Sequence, residues 1–151
     1  MRGIRLALVT VMAGVLWISD REPGIRRLFG EQLPEGDVLD PAELATRVSL
    51  GQRPDALVID GTQLLELAPR LRAELLGLPR VLVCTGMLLA SLPANLVSGP
   101  NIAVLAKPFC LEDLEAAVAW VRDSAAPATP FRPPVQRRRA RPLGGRRVPA
   151  R

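Results

Sequence analysis

Ile102-Ala103-Val104-Leu105-Ala106-Lys107-Pro108-Phe109-Cys110-Leu111-Glu112-Asp113-Leu114 is the stretch that decides the fold. A short apolar run ends in a lysine, a proline follows, and a helical pattern begins with Leu111, Leu114, Val118 and Val121 on one face. Such a run reads as a buried strand feeding a helix that packs back on its sheet. Lys107 is the single lysine of the chain, and the other nineteen basic residues are arginines.

The same grammar recurs upstream. Val15–Ile18 reads as a strand ending at Ser19-Asp20, Ala56–Ile59 as one ending at Asp60, and Val81–Cys84 as one ending at Thr85. Val38-Leu39 is the weakest strand signal. Between them lie helical patterns. The first follows Pro23-Gly24, with Ile25, Leu28, Phe29 and Leu33 on one face, and stops at Pro34-Glu35-Gly36. The second opens on Asp40-Pro41-Ala42-Glu43, a capping box with proline in the first turn, and carries Leu44, Val48 and Leu50. A third is expected over Gln63–Leu76, with Pro69 kinking it or shifting its start. Met87–Leu96, interrupted by Pro93, reads as a short or broken helix.

Strands that are apolar throughout and alternate with helices predict an α/β fold with a parallel sheet of about five strands, covered on both faces. Ligands of such sheets collect beyond the carboxyl ends of the strands. Asp20, Asp60, Thr85 and Lys107 are all expected there.

Composition narrows the chemistry. The chain has 151 residues, 48% of them hydrophobic and 3% aromatic, so its core is aliphatic. It has no histidine, which excludes His-based acid–base catalysis, His metal ligands and phosphohistidine. Cys84 and Cys110 form no CxxC pair, so neither a zinc site nor a disulfide framework is indicated, and a reducing cytoplasm is the expected location. Cys84 reads as core and Cys110 as a passive thiol at a helix start.

The net charge of +5 is unevenly placed. Eight arginines and no acid lie in 124–151, leaving residues 1–123 at −3. Three segments follow: an extension or mis-assigned start over 1–13, one domain over 14–123, and a disordered Pro/Arg-rich tail over 124–151. Arg2 and Arg5 before an apolar run resemble a signal peptide, but no small-residue cleavage site follows. That run is also short for a membrane span. Met12 is an alternative start. The tail's charge allows sequence-blind, salt-sensitive contact with nucleic acid.

At these residues the chain resembles the receiver domain of bacterial two-component response regulators. The resemblance covers about residues 14–123. It rests on Val15–Arg26, on Pro54–Asp60, on Val81–Thr85 and, most specifically, on Ala106-Lys107-Pro108-Phe109 with Leu111–Leu114. It implies a flavodoxin-like, doubly wound sheet. It implies Asp60 as phosphoacceptor, Thr85 and Lys107 as phosphoryl-binding and switch residues, Mg²⁺ held by Asp20 and Asp60, and a cis bond at Lys107–Pro108. A sensor histidine kinase or a downstream signalling protein would be the partner, met on the face around Thr85–Leu114. The protein would be a phosphorelay module and not an enzyme.

The departures mark an atypical or degenerate receiver. Where the family carries two adjacent acids, this chain offers Asp20-Arg21 or Ser19-Asp20, so one Mg²⁺ ligand is missing. Gly61-Thr62-Gln63 replaces the usual loop after the acceptor, and Val104 stands where the family often has an aromatic ring. The alternatives are a phosphorylation-independent binding module, a nucleic-acid-associated protein using the tail, and an unrelated enzyme or nucleotide binder. No Gly-rich phosphate loop follows the first strand to support the last.

Overall fold

A computed structural model of the chain describes residues 14–87, 91–96 and 99–123. The expected extension 1–13 and the expected disordered tail 124–151 lie outside them, as does the nucleic-acid reading built on that tail.

Five strands form the sheet: β1 (Leu16–Ser19), β2 (Asp37–Leu39), β3 (Ala56–Asp60), β4 (Arg80–Thr85) and β5 (Ile102–Ala106). All are parallel, in the order β2-β1-β3-β4-β5. This is the flavodoxin-like doubly wound order. Its chain reversal falls between β1 and β3, which places Asp20 and Asp60 on neighbouring strand ends.

Strand alternation divides the core in two. Trp17, Leu57, Ile59, Val81, Val83, Ile102 and Val104 face one side, against α2 (Pro41–Ser49), α3 (Gly61–Glu66) and α4 (Pro69–Leu76). Leu16, Ile18, Val58, Leu82, Cys84, Ala103 and Leu105 face the other, against α1 (Pro23–Gln32) and α5 (Leu111–Arg122). The expected capping box is formed at α2: Glu43 N–H donates to Asp40 Oδ1 at 2.8 Å, and Asp40 N–H donates to Glu43 Oε1 at 3.4 Å.

Three expectations are corrected. The helix expected over Gln63–Leu76 is two helices, α3 and α4, with Leu67-Ala68 extended between them. Pro69 has no N–H to continue α3 but suits the first turn of a new helix. Leu111 is exposed, because it opens α5 at its solvent side, while Leu114, Val118 and Val121 carry the buried face. Leu50 is exposed as well, since it lies at the C-cap of α2 beyond the face that carries Leu44 and Val48. In the broken segment before β5, residues 94–96 make a 3₁₀ turn after Pro93. Among the described residues no helix is long and apolar enough to cross a membrane.

Candidate functional site

Four strand ends converge at the carboxyl edge. Asp20 directly follows β1, Asp60 closes β3, Thr85 closes β4, and Lys107 directly follows β5. Parallel pairing sets Asp60 beside Cys84 and Thr85 beside Ala106, and Lys107 N–H donates to the Thr85 carbonyl at 2.7 Å. The Lys107–Pro108 bond is cis.

Lys107 joins the two acids. Its ammonium donates to Asp20 Oδ2 at 2.8 Å and to Asp60 Oδ1 at 3.0 Å, with Glu22 Oε1 further out at 3.9 Å. Both aspartates are buried, at 2% and 6% exposure. Their remaining oxygens are also taken. Asp20 Oδ1 accepts from Glu22 N–H at 2.9 Å, and Asp60 Oδ2 accepts from Gln63 N–H at 3.0 Å. Asp60 is thereby the N-cap of α3, which begins at the very next residue. The absence of a loop after Asp60, legible in Gly61-Thr62-Gln63, is what lets its carboxylate cap a helix.

Burial disfavours charge on both sides of the pair. For Asp20, loss of hydration raises the pKa above its ordinary range, although Lys107 and the Glu22 amide oppose this. For Lys107, burial works against the ammonium, but its hydrogen bonds to Asp20 and Asp60 prevail and raise its pKa. The lysine is therefore held charged.

The two alignments of the missing acid can be told apart by where the side chains go. Arg21 turns outward and its guanidinium donates to Glu66 Oε1 at 3.0 Å, with both side chains more than half exposed. An ion pair so exposed contributes little to stability. Ser19 is fully buried, and its Oγ accepts from Gln63 Nε2 at 2.7 Å. Gln63 was not anticipated as a site residue. Its Oε1 is buried and has no hydrogen-bond partner among the described residues. Arg26, also unanticipated, reaches from α1 to donate to the Asp20 carbonyl at 2.7 Å.

Thr85 is buried, and its Oγ1 accepts from Met87 N–H at 3.0 Å. It lies tightly against the residue after Asp60: a Cβ on Gly61 would stand 2.9 Å from Thr85 Cβ and 3.0 Å from Oγ1. In a helix, Gly→Ala normally gains up to about 1 kcal/mol. Here the contact reverses the sign. Gly61→Ala is expected to lose about 1–3 kcal/mol through overpacking, measured by urea unfolding. Thr85→Ser leaves Cβ and Oγ1 in place, so it should not rescue this loss.

Over the lysine opens a cleft of about 830 Å³, with Ile25, Leu28, Met87 and Phe109 among its apolar walls and Arg21 and Glu22 among its polar ones. A second cavity, about 620 Å³, lies at the opposite, amino edge of the sheet near Gly14, Asp55 and Arg80, away from the four strand ends. Val104 is buried within β5 and offers no ring to Thr85. Cys84 is core, its thiol pKa raised by burial. Cys110 is the N-cap of α5, but its thiol donates to Asp113 Oδ2 at 3.0 Å and does not cap the helix.

The donor set fits Mg²⁺ poorly. That ion needs near-octahedral oxygen ligands, normally one or two carboxylates with waters. Here an ammonium stands where the two carboxylates converge, and each carboxylate oxygen already accepts a protein donor. The neutral Gln63 Oε1 adds no charge to offset a divalent ion. Among the described residues, no group of three or more His, Cys, Asp or Glu side chains is arranged to hold a metal.

No family model matches the chain. No curated protein matches it either. Among solved structures it is similar to a response regulator receiver domain protein from Bacillus halodurans, at 23% identity and a TM-score of 0.49, over 70% of this chain and 93% of that one.

Proposed function

We propose that this protein is a receiver-type signalling module that works by protein–protein contact, without catalytic turnover and without phosphoryl transfer. Its partner is a sensor kinase or a downstream signalling protein, engaged by the helix–strand face around Thr85–Leu114. We place it in the cytoplasm on the same reading, its two cysteines being unpaired. One observation carries the proposal: Asp20, Asp60 and Lys107 meet at the carboxyl edge of a β2-β1-β3-β4-β5 sheet with every carboxylate oxygen satisfied from within the protein.

A second reading, phosphoryl acceptance by Asp60 in a phosphorelay, is favoured by the 3.0 Å Lys107–Asp60 contact. An ammonium at that place would also neutralise a phosphoryl group carried by the same carboxylate. Incubation of the native chain and of Asp60→Asn with a small phosphodonor and Mg²⁺ separates the two. The first reading expects no covalent label on either. A label on the native chain that is missing from Asp60→Asn would replace it with the second.

A further inference from the structure

We propose that Lys107 is the resident cation of this edge, standing in the place a divalent metal would take, so that Asp20, Lys107 and Asp60 form a metal-free ion-pair lock. The inference rests on the receiver-type reading only for the expectation that a metal belongs there; the lock itself is argued from geometry.

Two buried carboxylates on adjacent strands repel one another unless a cation lies between them. Such a cation can be a metal or an ammonium. Lys107 Nζ, at 2.8 Å from Asp20 and 3.0 Å from Asp60, meets that need with a side chain that is 13% exposed. A metal entering the same point must first displace the ammonium, and the third acid nearby, Glu22, stands back at 3.9 Å from it on a largely exposed side chain. The two positions where a further acid is expected do not supply one. Arg21 brings a positive charge and is turned to Glu66, and Ser19 is buried under Gln63. Nor can the carboxylates swing freely toward the cleft. Asp60 Oδ2 holds the first turn of α3, and Asp20 is fixed from both sides by the Glu22 amide and by Arg26 on its carbonyl. The lock therefore ties β1, β3 and β5 together around the lysine.

Remove the ammonium, and the same two carboxylates become an unsatisfied acidic pair with room for a hard cation. Thermal unfolding of native chain, Lys107→Ala and Lys107→Gln with and without millimolar Mg²⁺ tests this without reference to any partner or label. The native melting temperature should not move. That of Lys107→Ala should rise by about 5 °C with Mg²⁺. Lys107→Gln, which keeps amide donors but no charge, should rise less. A native chain stabilised by Mg²⁺ overturns the proposal. So does a folded Lys107→Ala that ignores the metal. Should Lys107→Ala not fold, Lys107→Gln supplies the same comparison. Loss of partner binding in an otherwise metal-blind native chain would count against the signalling reading and leave the lock standing.

Discussion

Lys107→Met should lower the stability of the folded chain by about 3–5 kcal/mol, the cost of leaving a buried ion pair without one partner. Methionine keeps the length of the side chain but not its charge. Asp20 and Asp60 would then face each other, nearly fully buried, with only the Glu22 and Gln63 amides to hold them. Urea unfolding should show an earlier midpoint with an unchanged slope, since the surface exposed on unfolding is the same. Adding Asp60→Asn should recover part of the loss by removing the repulsion, at the expense of a weaker cap on α3. If Asp60→Asn and Lys107→Met were instead simply additive, the two side chains would not be coupled.

The pH dependence of that difference follows from the raised pKa of Lys107. A basic group whose pKa is higher in the folded state contributes its full stabilisation below its unfolded value, here 10.5, and loses it as pH climbs through the folded value. As pH rises from neutrality, the gap between the native chain and Lys107→Met should therefore stay constant and close above that point; as pH falls, it shrinks once Asp20, whose pKa burial raises, takes up a proton. No tyrosine titrates in this window, because the chain has none. The buried Cys84 thiol costs stability in the same alkaline direction, but burial, the largest cause of its raised pKa, is common to both proteins, and only the smaller effect of the Lys107 charge on it differs. A gap that closed between neutrality and that point as pH rises would show that another group sets it.

The strand ends were legible because they need only a local rule: an apolar run must stop, and in a parallel sheet its carboxyl end is where polar residues can gather. Asp20, Asp60, Thr85 and Lys107 fall where that rule puts them, and Asp40 and Glu43 form their capping box because its parts are three residues apart. What the order of residues does not carry is direction. That Arg21 turns out to Glu66 depends on where α3 begins, and that depends on Asp60 capping it with no intervening loop. The Gln63–Ser19 hydrogen bond joins residues 44 apart through side chains, with no periodicity to betray it. Leu111 and Leu50 fit an apolar pattern by spacing yet sit at helix ends, where the next turn that would cover them is absent. Whether the edge is a metal site or a lock turns on one ammonium's position, a distance and not a motif.

The support beneath the lock can be tested from the core. Phe29, on α1, is fully buried among Leu33, Val58, Leu82 and Cys84, and its ring stands 6.1 Å from that of Phe109 at 57°. Phe29→Ala is expected to lose about 3–5 kcal/mol, since a large cavity opens in a rigid aliphatic core. Part of that, about 0.5–1.5 kcal/mol, is the ring pair, and a cycle with Phe109→Ala should recover it as coupling. The position of the cavity matters more than its size. Phe109 is two residues from Lys107, and α1 carries Arg26, which holds the Asp20 carbonyl. Loosening α1 thus slackens both the lysine and one of its acids. Leu44 on α2 is equally buried, but it belongs to the core on the other face of the sheet and touches neither. Leu44→Ala should lose a comparable 2–5 kcal/mol or so while sparing the edge. Amide hydrogen exchange under native conditions reads the distinction, because the Glu22 and Lys107 N–H groups are bonded to Asp20 Oδ1 and the Thr85 carbonyl. Exchange at both should accelerate more in Phe29→Ala than in Leu44→Ala at matched global stability. Equal acceleration in the two variants would mean that the lock opens only with the whole fold, and that α1 has no special hold on it.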